Sequence, residues 1–175
     1  PTSAPTLAAN QDIIEDPTQN GHWLVRSGAI YDGDANNDNV TGTDARDVIN
    51  GGGGNDVING GAGADTISGG AGNDTLTGGL GSDTFKWTLG DTGVAGKPAV
   101  DAITDFNKAA AGSATNGGDI LDLRDLLQGE SHTGTAVGNL NNYLHFEKSG
   151  SDTVIHISSS GGYVGGNFAA GATDQ

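Results

Sequence analysis

Six aspartates recur at an interval of nine residues: Asp38, Asp47, Asp56, Asp65, Asp74 and Asp83. Two residues after each stands an apolar side chain: Val40, Ile49, Ile58, Ile67, Leu76 and Phe85. The glycines keep the same count, as Gly51, Gly52 and Gly54, then Gly60, Gly61 and Gly63, then Gly69, Gly70 and Gly72, then Gly78, Gly79 and Gly81. Carboxylates at a fixed spacing, set among glycines whose main-chain carbonyls lie open to an ion, offer the oxygens that a hard divalent cation takes. The aspartates and glycines are therefore the candidate ligands of a calcium site, the former through carboxylates and the latter through carbonyls.

These residues belong to six consecutive units, GDANNDNVT from Gly33, GTDARDVIN from Gly42, GGGGNDVIN from Gly51, GGAGADTIS from Gly60, GGAGNDTLT from Gly69 and GGLGSDTFK from Gly78. A fixed period of this length is the signature of a solenoid. Positions one to six are turn-forming, because glycine accepts the positive φ of a tight turn and lets backbone or ion approach closely. Positions seven to nine leave a three-residue strand whose middle, apolar side chain points inward. Two units then make one coil. Asp38, Asp56 and Asp74 line one edge, and Asp47, Asp65 and Asp83 the other, with successive carboxylates about 4.8 Å apart. At that separation each pair repels by roughly 1 kcal/mol in bulk water and about 3–4 kcal/mol at an effective dielectric of 20. With one apolar side chain per nine glycine-rich residues to offset chain entropy, the repeat is expected to be disordered without calcium and to fold on binding it.

The nine-residue pattern resembles the RTX (repeats-in-toxin) family. That resemblance implies an all-β fold, a right-handed parallel β-roll or β-helix, holding several calcium ions, about four or more. The pairings of Asp56 with Asp74 and of Asp65 with Asp83 are expected to be strongest, since their turns keep all three glycines; those using the units at Gly33 and Gly42 should be weaker. Competing readings of the same stretch fall away. A period of nine with no proline in the repeats is not collagen, no lysine follows the glycines as in a phosphate-binding loop, and in-phase aspartates are not the mark of a flexible linker.

The chain of 175 residues carries 7 Lys and Arg against 22 Asp and Glu, a formal net charge of -15. That balance disfavours nucleic acid and anionic membrane as partners and favours divalent cations. There is no cysteine, so disulfides and thiolate metal sites are out, and calcium would take the place of disulfides as the staple of an extracellular protein. No stretch approaches the roughly 20 apolar residues of a membrane span, and no basic-then-apolar amino-terminal signal is present. The chain is read either as a piece of a larger protein or as one exported by a signal elsewhere.

In chain order, residues 1–21 read as a linker and 22–32 as an amino-terminal cap of the solenoid, with Trp23, Val25, Ile30 and Tyr31 covering the first coil. Asp32, Asp34 and Asn36 open like an EF-hand loop, but Asn37 stands where glycine is needed and Thr43 where glutamate is needed. Asp34 and Asn36 are instead read as part of a degenerate first repeat and as candidates for an extra calcium. After the β-roll over 33–86, residues 87–175 read as a β-rich capping and secretion-target region, including a hairpin of Tyr143–Glu147 with Thr153–Ser158.

This second half carries a further resemblance. DTFKW, VDAITDFN, GDILDLRDLLQGE, NYLHFE and DTVIHIS are similar to the carboxyl-terminal target region of type I secreted proteins, especially giant surface adhesins of the LapA kind. The resemblance implies export through an ATP-driven (ABC) transporter and outer-membrane channel, folding at the cell surface or outside it, upstream adhesin repeats as covalent partners, and no membrane insertion. Family members usually continue with a further apolar segment past a point like Asp174-Gln175, so the export signal is expected to be incomplete here. Asp101, Asp105, Asp119 and Asp122 lie in the family's DxIxDF and GDxLDL motifs. They are either one more calcium site at the cap or turn and helix-end carboxylates.

Catalysis has no foothold in these residues. The chain lacks HExxH and GxSxG, and His22, His132, His145 and His156 are scattered without ligand spacing. The chain is therefore read as a non-enzyme. Two alternatives to the adhesin module stay open: the tail of an extracellular hydrolase (protease or lipase) whose catalytic domain lies upstream, and a ligand-binding solenoid, for example an ice binder. The latter lacks a threonine row on the turns, where position three runs Ala35, Asp44, Gly53, Ala62, Ala71 and Leu80.

Overall fold

In a computed structural model, residues 10–15, 23–94, 97–108, 118–127 and 143–158 are described. They fall into two compact units. The first opens with an antiparallel pair, β1 (Gln11–Glu15) and β2 (Trp23–Ser27). Part of the stretch expected as linker is thus a strand. The Gly28 N–H donates to the Asn10 carbonyl at 2.8 Å and closes the pair.

The solenoid follows, built from three-residue strands as the nine-residue period demands. β3 (Ile30–Asp32), β4 (Asn39–Thr41), β5 (Val48–Asn50), β6 (Val57–Ala62), β7 (Thr66–Ser68), β8 (Thr75–Leu80) and β9 (Thr84–Lys86) alternate between two parallel sheets. Pairing is always between units 18 residues apart, as in Val40 with Ile58 and Ile49 with Ile67. Two units therefore make one coil. The middle residue of each strand enters the interior: Ile58, Ile67, Leu76 and Phe85 are fully buried, and Ile49 is nearly so. This thin core is a single file of side chains, fed alternately by the two sheets.

The coil does not stop where the nine-residue phase stops. After a separate excursion containing a 3₁₀ turn at Leu89–Asp91 and a short pair, β10 (Gly93–Val94) with β11 (Lys97–Pro98), the chain returns to the solenoid. There β12 (Ala102–Ile103) adds in parallel to β8, and β13 (Ile120–Asp122) adds in parallel to β9. The described residues 100–108 and 118–122 belong to the first unit and extend its last coil. Phe106 lies against Phe85, ring centroids 6.3 Å apart and planes tilted 44°, and partly covers the final apolar layer. At the other end Tyr31 takes the eighth-position place, beside Ile49 in register.

The second unit, described by itself, comprises residues 87–99 and 123–175. Its hairpin joins β14 (Leu144–Ser149) to β15 (Asp152–Ile157). The expected hairpin is present, but its strands extend into the stretch from Lys148 to Asp152 that the sequence reading leaves between them: Ser149 faces Asp152, and Gly150 takes φ +64° in a two-residue turn. The tail from 159 onward, His22 and His132 lie outside the described residues. No α-helix occurs among the described residues, and none of their helices is long and apolar enough to cross a membrane.

Candidate metal centre

The turns at both edges of the solenoid carry the acidic residues inward. Asp47, Asp56, Asp65, Asp74 and Asp83 are no more than 2% exposed. The sequence puts them there because position six immediately precedes the strand, and the coil closes over it. Each Oδ1 is held the same way, by the N–H of the sixth-position residue one coil earlier: Asp38 to Asp56, Asp56 to Asp74 and Asp47 to Asp65 at 2.8 Å, and Asp65 to Asp83 at 2.9 Å. The series runs on into the last coil, where the Asp74 N–H donates to Asp101 Oδ1 at 2.9 Å and the Asp83 N–H to Asp119 Oδ1 at 3.0 Å. Two aspartate stacks result, Asp38, Asp56, Asp74, Asp101 on one edge and Asp47, Asp65, Asp83, Asp119 on the other.

The second oxygen is the chemically decisive one. Oδ2 of Asp38, Asp56 and Asp83 is buried and receives no hydrogen bond, and Oδ2 of Asp65 and Asp74 is buried in the same way. An unsatisfied buried carboxylate oxygen costs several kcal/mol unless a positive group meets it. These oxygens face the first glycine of their own unit. A Cβ added at Gly51 would strike both Asp56 Oδ2 and the Gly69 carbonyl, and one at Gly60 both Asp65 Oδ2 and the Gly78 carbonyl. Carboxylate and carbonyl oxygens thus crowd one space without a proton donor, which suits calcium with its six to eight oxygen ligands. Gly52, Gly61, Gly70 and Gly79 at position two, and Gly54, Gly63, Gly72 and Gly81 at position four, all take positive φ, from +94° to +139°. Without that backbone the turn could not bring its carbonyls round. Among the described residues no three His, Cys, Asp or Glu side chains converge as a metal group; here carbonyls supply what further side chains would otherwise provide.

Burial raises the Asp83 carboxyl above its ordinary value, with the charges of Asp119 and Asp105 adding to the rise and the Asp65 N–H opposing it. Tyr31 is raised by desolvation first, and then by the charge and hydrogen bond of Asp38 and the charges of Asp34 and Asp56. Asp34 is lowered by the backbone and side-chain N–H groups of Asn36.

Several candidate ligands sit differently from the main set. Asp34 Oδ1 accepts the N–H and the side-chain amide of Asn36, both at 2.8 Å, in an exposed turn. Asp105 spans two backbone donors, Gly78 N–H at 2.9 Å and Gly79 N–H at 2.8 Å. Asp119 Oδ2 accepts the Asn107 N–H at 2.8 Å. Asp122 ends its strand in register with Lys86, the ninth residue of its unit, apart from the sixth-position stack. Asp47, finally, has both oxygens in hydrogen bonds to protein, from Ala29 N–H, Thr43 N–H and the Thr43 hydroxyl.

Sequence reasoning missed an asparagine ladder at position five. The N–H of Asn55 donates to Asn37 Oδ1 at 2.8 Å, that of Asn73 to Asn55 Oδ1 at 2.9 Å, and that of Val100 to Asn73 Oδ1 at 2.8 Å. The signal was the recurrence of asparagine every 18 residues on one edge only.

Residues 32–67 and 53–85 match the RTX calcium-binding nonapeptide repeat, in four copies. The structure is also similar to the solution structure of the AlgE6R3 subunit from the Azotobacter vinelandii mannuronan C5-epimerase, with 29% identity and a TM-score of 0.52. That match covers 72% of this chain and 64% of the epimerase subunit. No curated protein sequence matches. The solenoid is an all-β, parallel coil that matches the RTX β-roll, and the nonapeptide repeats it matches bind calcium.

Proposed function

We propose that the chain is a calcium-folded capping and secretion module at the carboxyl end of a large extracellular or cell-surface adhesin, exported by a type I (ABC transporter and outer-membrane channel) route and without catalysis of its own. The observation that carries this reading is the row of buried carboxylate oxygens with no hydrogen-bond donor. Such a row is tolerable only where calcium is plentiful. Asp38, Asp56, Asp65, Asp74 and Asp83 are the carboxylate ligands, joined by carbonyls of the glycine turns. Calcium, when bound, supplies the positive charge that neutralises the stacked carboxylates.

Extracellular calcium modules bind at roughly 10⁻⁴ to 10⁻³ M. At the far lower calcium level of the cytosol, the repeat stays unfolded and able to thread a channel. Outside, each filled corner fixes two turns and presents the next pair, so folding propagates along the coil and hinders back-sliding.

Titration of Asp65→Ala with calcium, followed by circular dichroism, tests the ligand assignment. The midpoint should move to higher calcium; an unchanged midpoint removes Asp65 from the ligand set. A second reading, the tail of an extracellular enzyme such as a protease or lipase, is favoured by the likeness to a subunit of an epimerase. The residues upstream of Pro1 separate the two, immunoglobulin-like repeats supporting the adhesin and a catalytic motif the enzyme. Direct binding of a polyanionic substrate by this module is opposed by its formal charge of -15.

A further inference from the structure

The two incomplete repeats differ from the rest at position two, where Asp34 and Thr43 replace glycine, and at position four, where Asn36 and Ala45 do. Neither Asp34 nor Thr43 takes positive φ. Both turns are instead closed by the side chain accepting a backbone N–H two residues on, Asn36 N–H to Asp34 Oδ1 at 2.8 Å and Ala45 N–H to Thr43 Oγ1 at 3.1 Å. The consequence for the neighbouring carboxylate is opposite in the two units. Aspartate has no proton to give, and Asp38 Oδ2 stays without a donor. Threonine has one. Its hydroxyl lies 3.0 Å from Asp47 Oδ1 and 3.3 Å from Oδ2, adding to two backbone donors, the Thr43 N–H to Oδ2 at 2.6 Å and the Ala29 N–H to Oδ1, the latter the same contact from one coil earlier that the other aspartates receive.

Asp47 is as deeply buried as Asp56 and Asp83, yet it differs from them in having both oxygens satisfied by protein. The molecule uses the same pairing where no repeat exists. Asp91, 8% exposed, accepts the Thr88 N–H at 2.6 Å and lies 3.1 and 3.2 Å from the Thr88 hydroxyl. A threonine hydroxyl and its own N–H are thus a complete, metal-free answer to a buried aspartate in this protein.

We infer that Thr43 takes the Asp47 corner out of calcium binding, its hydroxyl and N–H holding the carboxylate that a cation holds elsewhere in the solenoid. The inference rests on the reading that the remaining corners bind calcium through Asp56 and its counterparts. In the folded roll the Asp47 corner thereby stays without calcium while the others fill, and Thr43 sets how many ions the roll takes.

The test is calcium stoichiometry of the full chain, by native mass spectrometry or equilibrium dialysis at saturating calcium. Thr43→Gly, which removes the hydroxyl and puts glycine at position two, should bind one calcium more than the parent. Asp47→Asn should leave the parent's count unchanged, and Asp56→Asn should lower it. Loss of one calcium in Asp47→Asn overturns the inference, as does an unchanged count in a folded Thr43→Gly. Should Thr43→Gly fail to fold, the Asp47→Asn count decides. An Asp56→Asn count equal to the parent's would instead strike the calcium-corner reading, leaving Thr43 as a turn closure alone.

Discussion

Asp83 shows what a single repeat aspartate contributes in the absence of metal. Its carboxyl is raised from 3.8 chiefly by burial, with the charges of Asp119 and Asp105 adding. A raised value means that the folded chain binds more protons than the unfolded one, so stability falls as pH rises from about 3.8 through the raised value. In chelator, sheet content by circular dichroism should therefore grow on acidification from neutrality towards pH 4. Asp83→Asn, which carries the uncharged form at every pH, should show more sheet than the parent at neutral pH and a smaller gain on acidification. Identical pH curves would mean that this carboxylate does not oppose the metal-free fold. The glycines make a second case. Gly72 takes φ +135°, and a Cβ there would strike the backbone of Gly54, whereas the nearest atom to a Cβ on Gly53 lies at 3.6 Å and its φ is unstrained. Gly72→Ala should destabilise the calcium-loaded protein by at least about 1–3 kcal/mol. Gly53→Ala should stay within about 0.5 kcal/mol, a contrast that urea unfolding at fixed calcium measures.

At the scale of the strand and turn, the two edges of the roll are built alike in aspartate but not in asparagine. Asn37, Asn55 and Asn73 form a side-chain to backbone ladder on one edge, where the other edge has Arg46, Ala64 and Ser82 in the same position. Each rung is an ordinary neutral hydrogen bond worth about 1 kcal/mol, and it owes nothing to calcium. Asn55→Ala and Asn73→Ala should each lower stability by about that amount in saturating calcium, while Ser82→Ala should change it little. Equal losses at all three positions would remove the distinction between edges. The elements were unevenly legible beforehand. Strand position, coil size and the inward row from Val40 to Phe85 follow from a period of nine with apolar residues at alternate strand faces. The last coil does not, because Asp101 follows Asp74 by 27 residues and Asp119 follows Asp83 by 36, so the interruption hides the phase even though Asp-x-apolar-x persists in DAIT and DILD. Thr43 was hidden for another reason. Read as a pattern it is only a missing glycine, and its role depends on a hydroxyl reaching a carboxylate four residues on.

For the molecule as a whole, two origins of the calcium requirement can be told apart. One is global: a chain of formal charge -15 repels itself, and any cation that screens it should help it to compact. The other is local: carboxylate oxygens such as Asp56 Oδ2 are buried beside carbonyls, out of reach of the ionic atmosphere. Salt at 1 M shortens the screening length to about 3 Å and suppresses the first effect, but buried groups are screened far less. Magnesium adds a second discrimination, since it demands near-octahedral geometry and gives up its water reluctantly, whereas calcium accepts many irregularly placed oxygens. The local origin predicts that chelated protein stays unfolded in 1 M sodium chloride and in millimolar magnesium, and folds in millimolar calcium, by circular dichroism and by protection of the Ile58 and Ile67 amides from exchange. Folding in sodium chloride alone would assign the requirement to net charge and leave the aspartate stacks without a coordinating role. Folding equally well in magnesium would mean that the carbonyls of the glycine turns take no part in holding the ion.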